Sequence, residues 1–171
     1  LGLIQLSVAL PGDGTTALSA ICAAGGEGIV SKRAGSTYRA GRGDSWRKIK
    51  CDRRTAFAII GWTKSDSPGR PFASLLLASP EGEGWRYRGR VGTGFSARDL
   101  EEIAGRLRSR ARKTPPVDDV PSADRRDAEW VRADLVGEVQ HAERTDDGRL
   151  RHPVWRGWRP DKRAEQVRWE T

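Results

Sequence analysis

Two stretches of this 171-residue chain place cations at spacings that suit phosphate chemistry. In Trp46-Arg47-Lys48-Ile49-Lys50-Cys51 the two lysines stand two apart in a segment that reads as a strand, so both ammonium groups point to one face. Such a pair can hold a polyanion and stabilise negative charge that builds on a phosphorus centre under attack. A bare Lys-x-Lys also suits a solvent-facing strand edge. Near the end of the chain Arg156, Arg159, Asp161 and Lys162 lie close together. Arginine offers a planar fork of donors and lysine a point charge, so Arg159 and Lys162 suit the β- and γ-phosphates of a nucleotide, with Arg156 as a further contact. Asp161, between them, is suited to orienting the neighbouring cations rather than to acting as a base. The bland reading of this stretch is a basic tail. Glu27, next to Gly28, supplies the hard oxygen that a phosphate-bound metal needs, with a glycine that lets metal and ribose come near. A charge at a turn would look the same. Lys32 and Arg33 follow on opposite faces of that strand, and Lys32 is the better placed for phosphate or DNA.

These groups need elements to hold them. Ile4, Leu6, Val8 and Leu10 alternate as in a half-buried strand, which Pro11-Gly12-Asp13-Gly14 breaks. Thr15 or Thr16 can cap a helix running through Ala24, ended by Gly25-Gly26, and strands follow over Glu27 to Arg33 and Trp46 to Cys51. This β-α-β-β block is too small to close a core and needs the rest of a larger sheet. From Arg53 the pattern changes to short strands, Thr55 to Trp62, Phe72 to Ser79 and Trp85 to Val91, separated by Gly/Pro/Ser turns. A helix capped by Ser96, with Asp99 three residues on, puts Leu100, Ile103, Leu107 and Ala111 on one face. A Pro/Asp-rich loop from Thr114 to about Arg126 leads to strands near Glu129 to Val131 and Val136 to Thr145. Three strands, a helix and two strands is the order of a five-stranded OB-fold barrel.

Composition agrees with a polyanionic partner. Lys and Arg number 31 against 23 Asp and Glu, a formal net charge of +8, which raises the local concentration of nucleic acid without dictating fold. No apolar run is long enough to cross a bilayer and no leader-like segment is seen, so a cytoplasmic location and no membrane partner are expected. The lack of methionine and the start within an apolar strand read as a piece of something longer. Cys22 and Cys51 are expected to be small buried hydrophobes or free thiols, not a zinc site or a disulfide. His141 and His152 lack carboxylate or thiolate partners at metal-ligand spacing. Asp13-Gly14 matches the end of a Lys-x-Asp-Gly nucleophile motif, but Pro11 stands at the lysine position, so the segment reads as a turn. The seven tryptophans read as core or interface anchors rather than base readers.

Three motifs carry a family resemblance. Glu27-Gly28-Ile29-Val30-Ser31-Lys32-Arg33 resembles motif IV of the covalent nucleotidyltransferases in its bacterial ligase D version. The Trp46 to Cys51 segment resembles motif V, and the run from Leu150 to Lys162 resembles motif VI, whose core is Arg-x-Asp-Lys. They occur in the family's order, and Val91-Gly92-Thr93-Gly94-Phe95 extends the likeness over essentially the whole chain. Trp155, Trp158 and Pro160 depart from the usual residues but leave Arg159, Asp161 and Lys162 intact. The chain thus resembles an ATP-dependent DNA ligase. The resemblance implies that residues 1–52 end the adenylation domain, a partial nucleotidyltransferase (ATP-grasp-like) segment, and that residues 53–171 form an OB-fold domain with motif VI at 150–162. It also implies ATP, with Mg2+ or Mn2+ at Glu27, and a nucleotide site built from Glu27, Lys32, Lys48, Lys50, Arg156, Arg159, Asp161 and Lys162. Nicks or ends in duplex DNA would be sealed through lysyl-AMP and DNA-adenylate, in the nucleoid, with Ku and polymerase or phosphoesterase domains as partners. A hinge is expected over Cys51 to Arg54. Since no Lys-x-Asp-Gly occurs in the 171 residues, they are not expected to take up AMP covalently by themselves. Two alternatives remain: a non-catalytic OB-fold DNA-binding module, for which motifs IV and V would be useless, and an RNA-ligating or capping relative, against which the spelling of motif VI counts.

Overall fold

The computed structural model describes residues 9–10, 12–41 and 43–169. The alternating stretch over Ile4, Leu6 and Val8 lies outside the described residues, as does Pro11. The chain divides into two compact units, Leu1–Cys51 and Asp52–Thr171.

Among the described residues the first unit holds one helix and one hairpin. Helix α1 spans Gly14–Ala23, and its cap is Asp13, not a threonine: the carboxylate accepts from the amides of Thr15 and Thr16 at 2.9 and 3.0 Å. An aspartate satisfies amides at a helix start and also favours the positive end of the dipole, so it outcompetes the hydroxyls that follow it. Strands β1 (Gly28–Lys32) and β2 (Trp46–Lys50) pair antiparallel, with Gly28 opposite Lys50, Val30 opposite Lys48 and Lys32 opposite Trp46. Cys22, in the last turn of α1, and Cys51, just past β2, are joined in a disulfide with Cα atoms 5.5 Å apart. This corrects the expectation of free thiols. Their separation of 29 residues hid a juxtaposition that the hairpin creates by folding back under the helix.

The second unit is a sheet in the order β10-β7-β3-β4-β5, all antiparallel. Its strands are β3 (Arg53–Thr63), β4 (Ser74–Glu81), β5 (Gly84–Val91), β7 (Ala128–His141) and β10 (Val154–Trp158). Helix α2 (Ala97–Arg108) follows β5, so the strand, strand, strand, helix, strand, strand order of an OB-fold is present. The amide of Trp155 in β10 donates to the carbonyl of Thr93, just after β5, at 2.9 Å, which links the two ends of the strand order. The unit also holds short strands β6 (Ala111–Arg112), β8 (Glu143–Arg144) and β9 (Leu150–Arg151), a one-turn helix α3 (Ser122–Arg125) and a 3-10 turn over Ala164–Gln166.

Three details differ from the sequence reading. The two strands expected near residues 129 and 136 are one, β7, because residues between Trp130 and Leu135 bow out of register with β3 while Val131 pairs with β6 instead. The fifth strand is the first half of motif VI. Ala111 is exposed in β6, since α2 stops at Arg108. Ser96 and Asp99 do form the expected reciprocal cap, and Ile103 and Leu107 bury themselves against Phe57, Ile59, Leu75 and Trp155. The other face of β3 is covered by the loop carrying Val117 and Val120, and by Ala164 and Val167 after motif VI, which pack on Ala56, Ala58 and Val136.

Candidate functional site

In the first unit the hairpin brings Glu27, Lys48 and Lys50 together. Glu27 precedes β1, and its carbonyl accepts from the Cys51 amide at 2.9 Å, so its backbone is pinned to the end of β2. The Lys48 ammonium donates to Glu27 Oε1 at 2.7 Å, and Lys50 Nζ lies 3.7 Å from the same oxygen. The hydrogen bond from Lys48, then its charge, then Lys50, holds the Glu27 carboxyl below the usual carboxylate range, so it stays ionised. All three side chains are about half exposed. Ion pairs this open to water add little to stability.

Gly28 is required where it stands. Its φ is +151°, and a Cβ there would sit 2.2 Å from the carbonyl oxygen of Ile49, so any side chain would push β1 away from β2 and carry Glu27 with it. Lys32 does not join the trio. It lies farther along the same face of the hairpin, with its ammonium 4.3 Å from the centre of the Trp46 ring. In this unit the apolar side chains Leu10, Val30, Tyr38, Trp46 and Ile49 are exposed, Ile49 on the face opposite Lys48 and Lys50, and an open cleft of about 720 Å³ is lined by residues of α1 and of the hairpin.

In the second unit motif VI is half strand and half turn. β10 bulges at Arg156, where Trp155 faces Val139 but Gly157 faces Glu138, and Gly157 takes a φ of +138° that a side chain would strain. The bulge turns Arg156 toward Gln140, whose side-chain oxygen accepts from its guanidinium. Arg159 follows β10, its amide donating to the Val136 carbonyl at 2.9 Å. Its guanidinium donates to both oxygens of Asp161, at 2.9 and 2.7 Å, and to Glu138 at 3.0 Å. The hydrogen bond to Asp161, followed by the charges around it, raises the Arg159 pKa, and the same bond draws the Asp161 carboxyl down to about 2. Lys162 is exposed beyond the turn. As site residues Glu138, Gln140 and Arg54 carried no signal in the sequence, where Arg54 figures only as the end of an expected hinge. They sit on β7 and β3 with no motif around them, and only strand pairing sets them beside motif VI.

His141, set aside from the sequence, is buried with Nε2 3.0 Å from the Thr55 hydroxyl and its ring stacked on Trp169. Among the described residues no three of His, Cys, Asp and Glu form a metal-binding group. No helix among them is long and apolar enough to cross a membrane.

Known proteins resemble this chain in sequence and fold. The family model for the ATP dependent DNA ligase C terminal region matches residues 68–162. The multifunctional non-homologous end joining protein LigD of Mycolicibacterium smegmatis is 41% identical over 94% of the chain, which spans only 22% of that relative's length. Among solved structures, the ligase domain of M. tuberculosis LigD superposes with a TM-score of 0.67 at 38% identity, covering 94% of this chain and 53% of that one. A mycobacterial DNA ligase D complexed with ATP gives 0.65 at 37% identity, with 94% and 52% covered. With more than half of its length matched by that model, and with a LigD-like fold running through both units, this chain belongs to the ATP-dependent DNA ligase family, in its C-terminal region.

Proposed function

We propose that the chain serves a nick- and end-sealing DNA ligase, its first unit closing the adenylation domain and its second acting as the OB-fold domain. The observation that carries this reading is the convergence of Lys48 and Lys50 on Glu27 across a hairpin held by Gly28. Two cations and one ionised carboxylate, open to solvent, suit an α-phosphate with its metal. Lys48 and Lys50 stabilise the charge that builds on that phosphorus as a lysine of the longer protein displaces pyrophosphate from ATP. Later they do the same as AMP passes to a 5′-phosphate and as a 3′-hydroxyl displaces it.

A divalent cation, Mg2+ or Mn2+, fits Glu27. The carboxylate is a hard ligand kept ionised, and both ion pairs run through Oε1. A single protein carboxylate, with the other positions left to water and phosphate oxygens, is the style of site Mg2+ prefers, and the ion would supply charge neutralisation there. Arg156, Arg159 and Lys162 grip the β- and γ-phosphates and align the leaving pyrophosphate, with Lys32 a further phosphate or DNA contact. The basic surface of the second unit holds the DNA backbone with little regard for sequence. The exposed side chains of Leu10 and of Ile49, which lies on the face opposite the two lysines, are where the rest of the adenylation domain packs. The likeness to LigD supports end joining with Ku and with polymerase or phosphoesterase domains, in the bacterial nucleoid.

The test uses the longer protein that contains this chain and a nicked duplex already carrying AMP on its 5′-phosphate. Lys48→Ala and Lys50→Ala should each slow sealing by about a hundredfold, the usual loss when one preorganised charge at a reacting centre is removed. Sealing by the double variant within threefold of the parent would sink the proposal.

A further inference from the structure

We propose that Glu138 is a positioning residue that sets the motif VI arginine for the nucleotide and ties it to the connector between the units; this rests on the ligase reading above. Glu138 lies in β7, the strand between β10 and β3, opposite Gly157 on one side and Ala56 on the other. The small partners leave its carboxylate room to reach sideways in both directions. One oxygen accepts from Arg159 at 3.0 Å, and the other lies 4.0 Å from the guanidinium of Arg54 in β3. Arg54 in turn donates to Asp52, the first residue of the second unit, at 3.0 Å. Asp52, Arg54, Glu138, Arg159 and Asp161 therefore form one chain of alternating charge running from the connector to motif VI.

A guanidinium has five N–H donors. Asp161 takes two from Arg159 and Glu138 takes one, so two remain for phosphate oxygens. Asp161 cannot fix the direction of those two alone, because it sits in the same turn as Arg159 and its side chain is 59% exposed. Glu138 is 24% exposed and rooted in a central strand, so its bond refers the arginine to the sheet instead of to a turn that moves with it. The free donors are thereby aimed before the nucleotide arrives, which removes an ordering cost from binding.

Two effects of the carboxylate oppose each other. Its charge offsets that of Arg159 and weakens attraction for phosphate, while its hydrogen bond orients the fork. Loss of Glu138 leaves only Asp161, which moves with the turn, to orient the fork, so positioning outweighs the charge. The isosteric amide separates the two, since glutamine keeps an acceptor oxygen without the charge.

The experiment measures two reactions of the longer protein: self-adenylation against ATP concentration, and sealing of a pre-adenylated nick without ATP. Glu138→Ala should raise the ATP concentration for half-maximal adenylation about tenfold, as loss of one hydrogen bond to a charged group would. Sealing of the pre-adenylated nick should stay within twofold, and Glu138→Gln should restore adenylation to within threefold. Adenylation by the alanine variant like that of the parent would overturn the proposal. So would an alanine defect that glutamine fails to restore, or a glutamine variant that binds ATP more tightly than the parent, or equal losses in both reactions. A parent protein that neither adenylates nor seals would instead refute the ligase reading itself.

Discussion

Gly137→Ala tests how motif VI is seated. Gly137 lies in β7 opposite Trp158 of β10, with the Trp155 indole laid directly over it. A Cβ at residue 137 would come 2.1 Å from Trp155 Cζ3 and 2.4 Å from Cη2. The indole cannot step aside: it is 1% exposed, with the ring centre of Phe95 at 5.7 Å and that of Trp158 at 5.2 Å. Inserting a methyl into such a core costs about 1–3 kcal/mol, and a contact this short belongs at the upper end. Reduced freedom of the unfolded chain returns about 0.5 kcal/mol, leaving a net loss of about 2 kcal/mol. Trp155→Phe removes the offending atoms. It costs about 1–2 kcal/mol alone, lessened because Trp155 Nε1 is buried with no hydrogen-bond partner among the described residues and phenylalanine leaves no such donor. The double variant should cost at least ~1 kcal/mol less than the sum. Urea unfolding followed by tryptophan fluorescence reads this out, since every tryptophan but Trp46 is in the second unit. With a slope of about 2 kcal/mol per molar, Gly137→Ala should lower the midpoint by ~1 M. A shift below ~0.25 M, or strict additivity with Trp155→Phe, would refute the packing argument.

Two further outcomes follow from buried groups. Burial, then the nearby Arg53 charge, pushes the His141 imidazole below its ordinary value, so the unfolded chain takes up its proton first as pH falls. Its contribution is complete above about pH 6.5 and is lost as pH drops through that value toward the folded pKa, at no more than about 1.4 kcal/mol per pH unit. The stability lost between pH 7.5 and 5.5 should shrink in His141→Gln, and urea midpoints falling equally in both proteins would contradict this. Reducing the Cys22–Cys51 bridge, which closes a separation of 29 residues, should free about 3–4 kcal/mol of unfolded-state entropy in the first unit. Hydrogen exchange should then quicken over α1 and β2 while the second unit is unaffected; unchanged exchange over α1 after verified reduction would count against a structural bridge.

Much of the chemistry was legible along the chain because it is local. A two-residue spacing in a strand places Lys48 and Lys50 on one face whatever surrounds them, and a Ser96/Asp99 cap needs only one helical turn. The motifs carried the family, since Glu27, the Lys-x-Lys pair and Arg-x-Asp-Lys keep their order in sequence. What the sequence could not show depends on contacts between residues far apart in it. The Cys22–Cys51 bridge exists only because a hairpin returns to the helix. The joining of two expected strands into β7, and the use of motif VI as the fifth strand, were settled by hydrogen-bond partners that no local pattern names. Glu138 gained its role in the same way, from the strands on either side of it. Short-range order is written in residue type and spacing, whereas the partner of a strand edge or of a lone carboxylate is chosen by whichever distant segment satisfies its hydrogen bonds when the core closes.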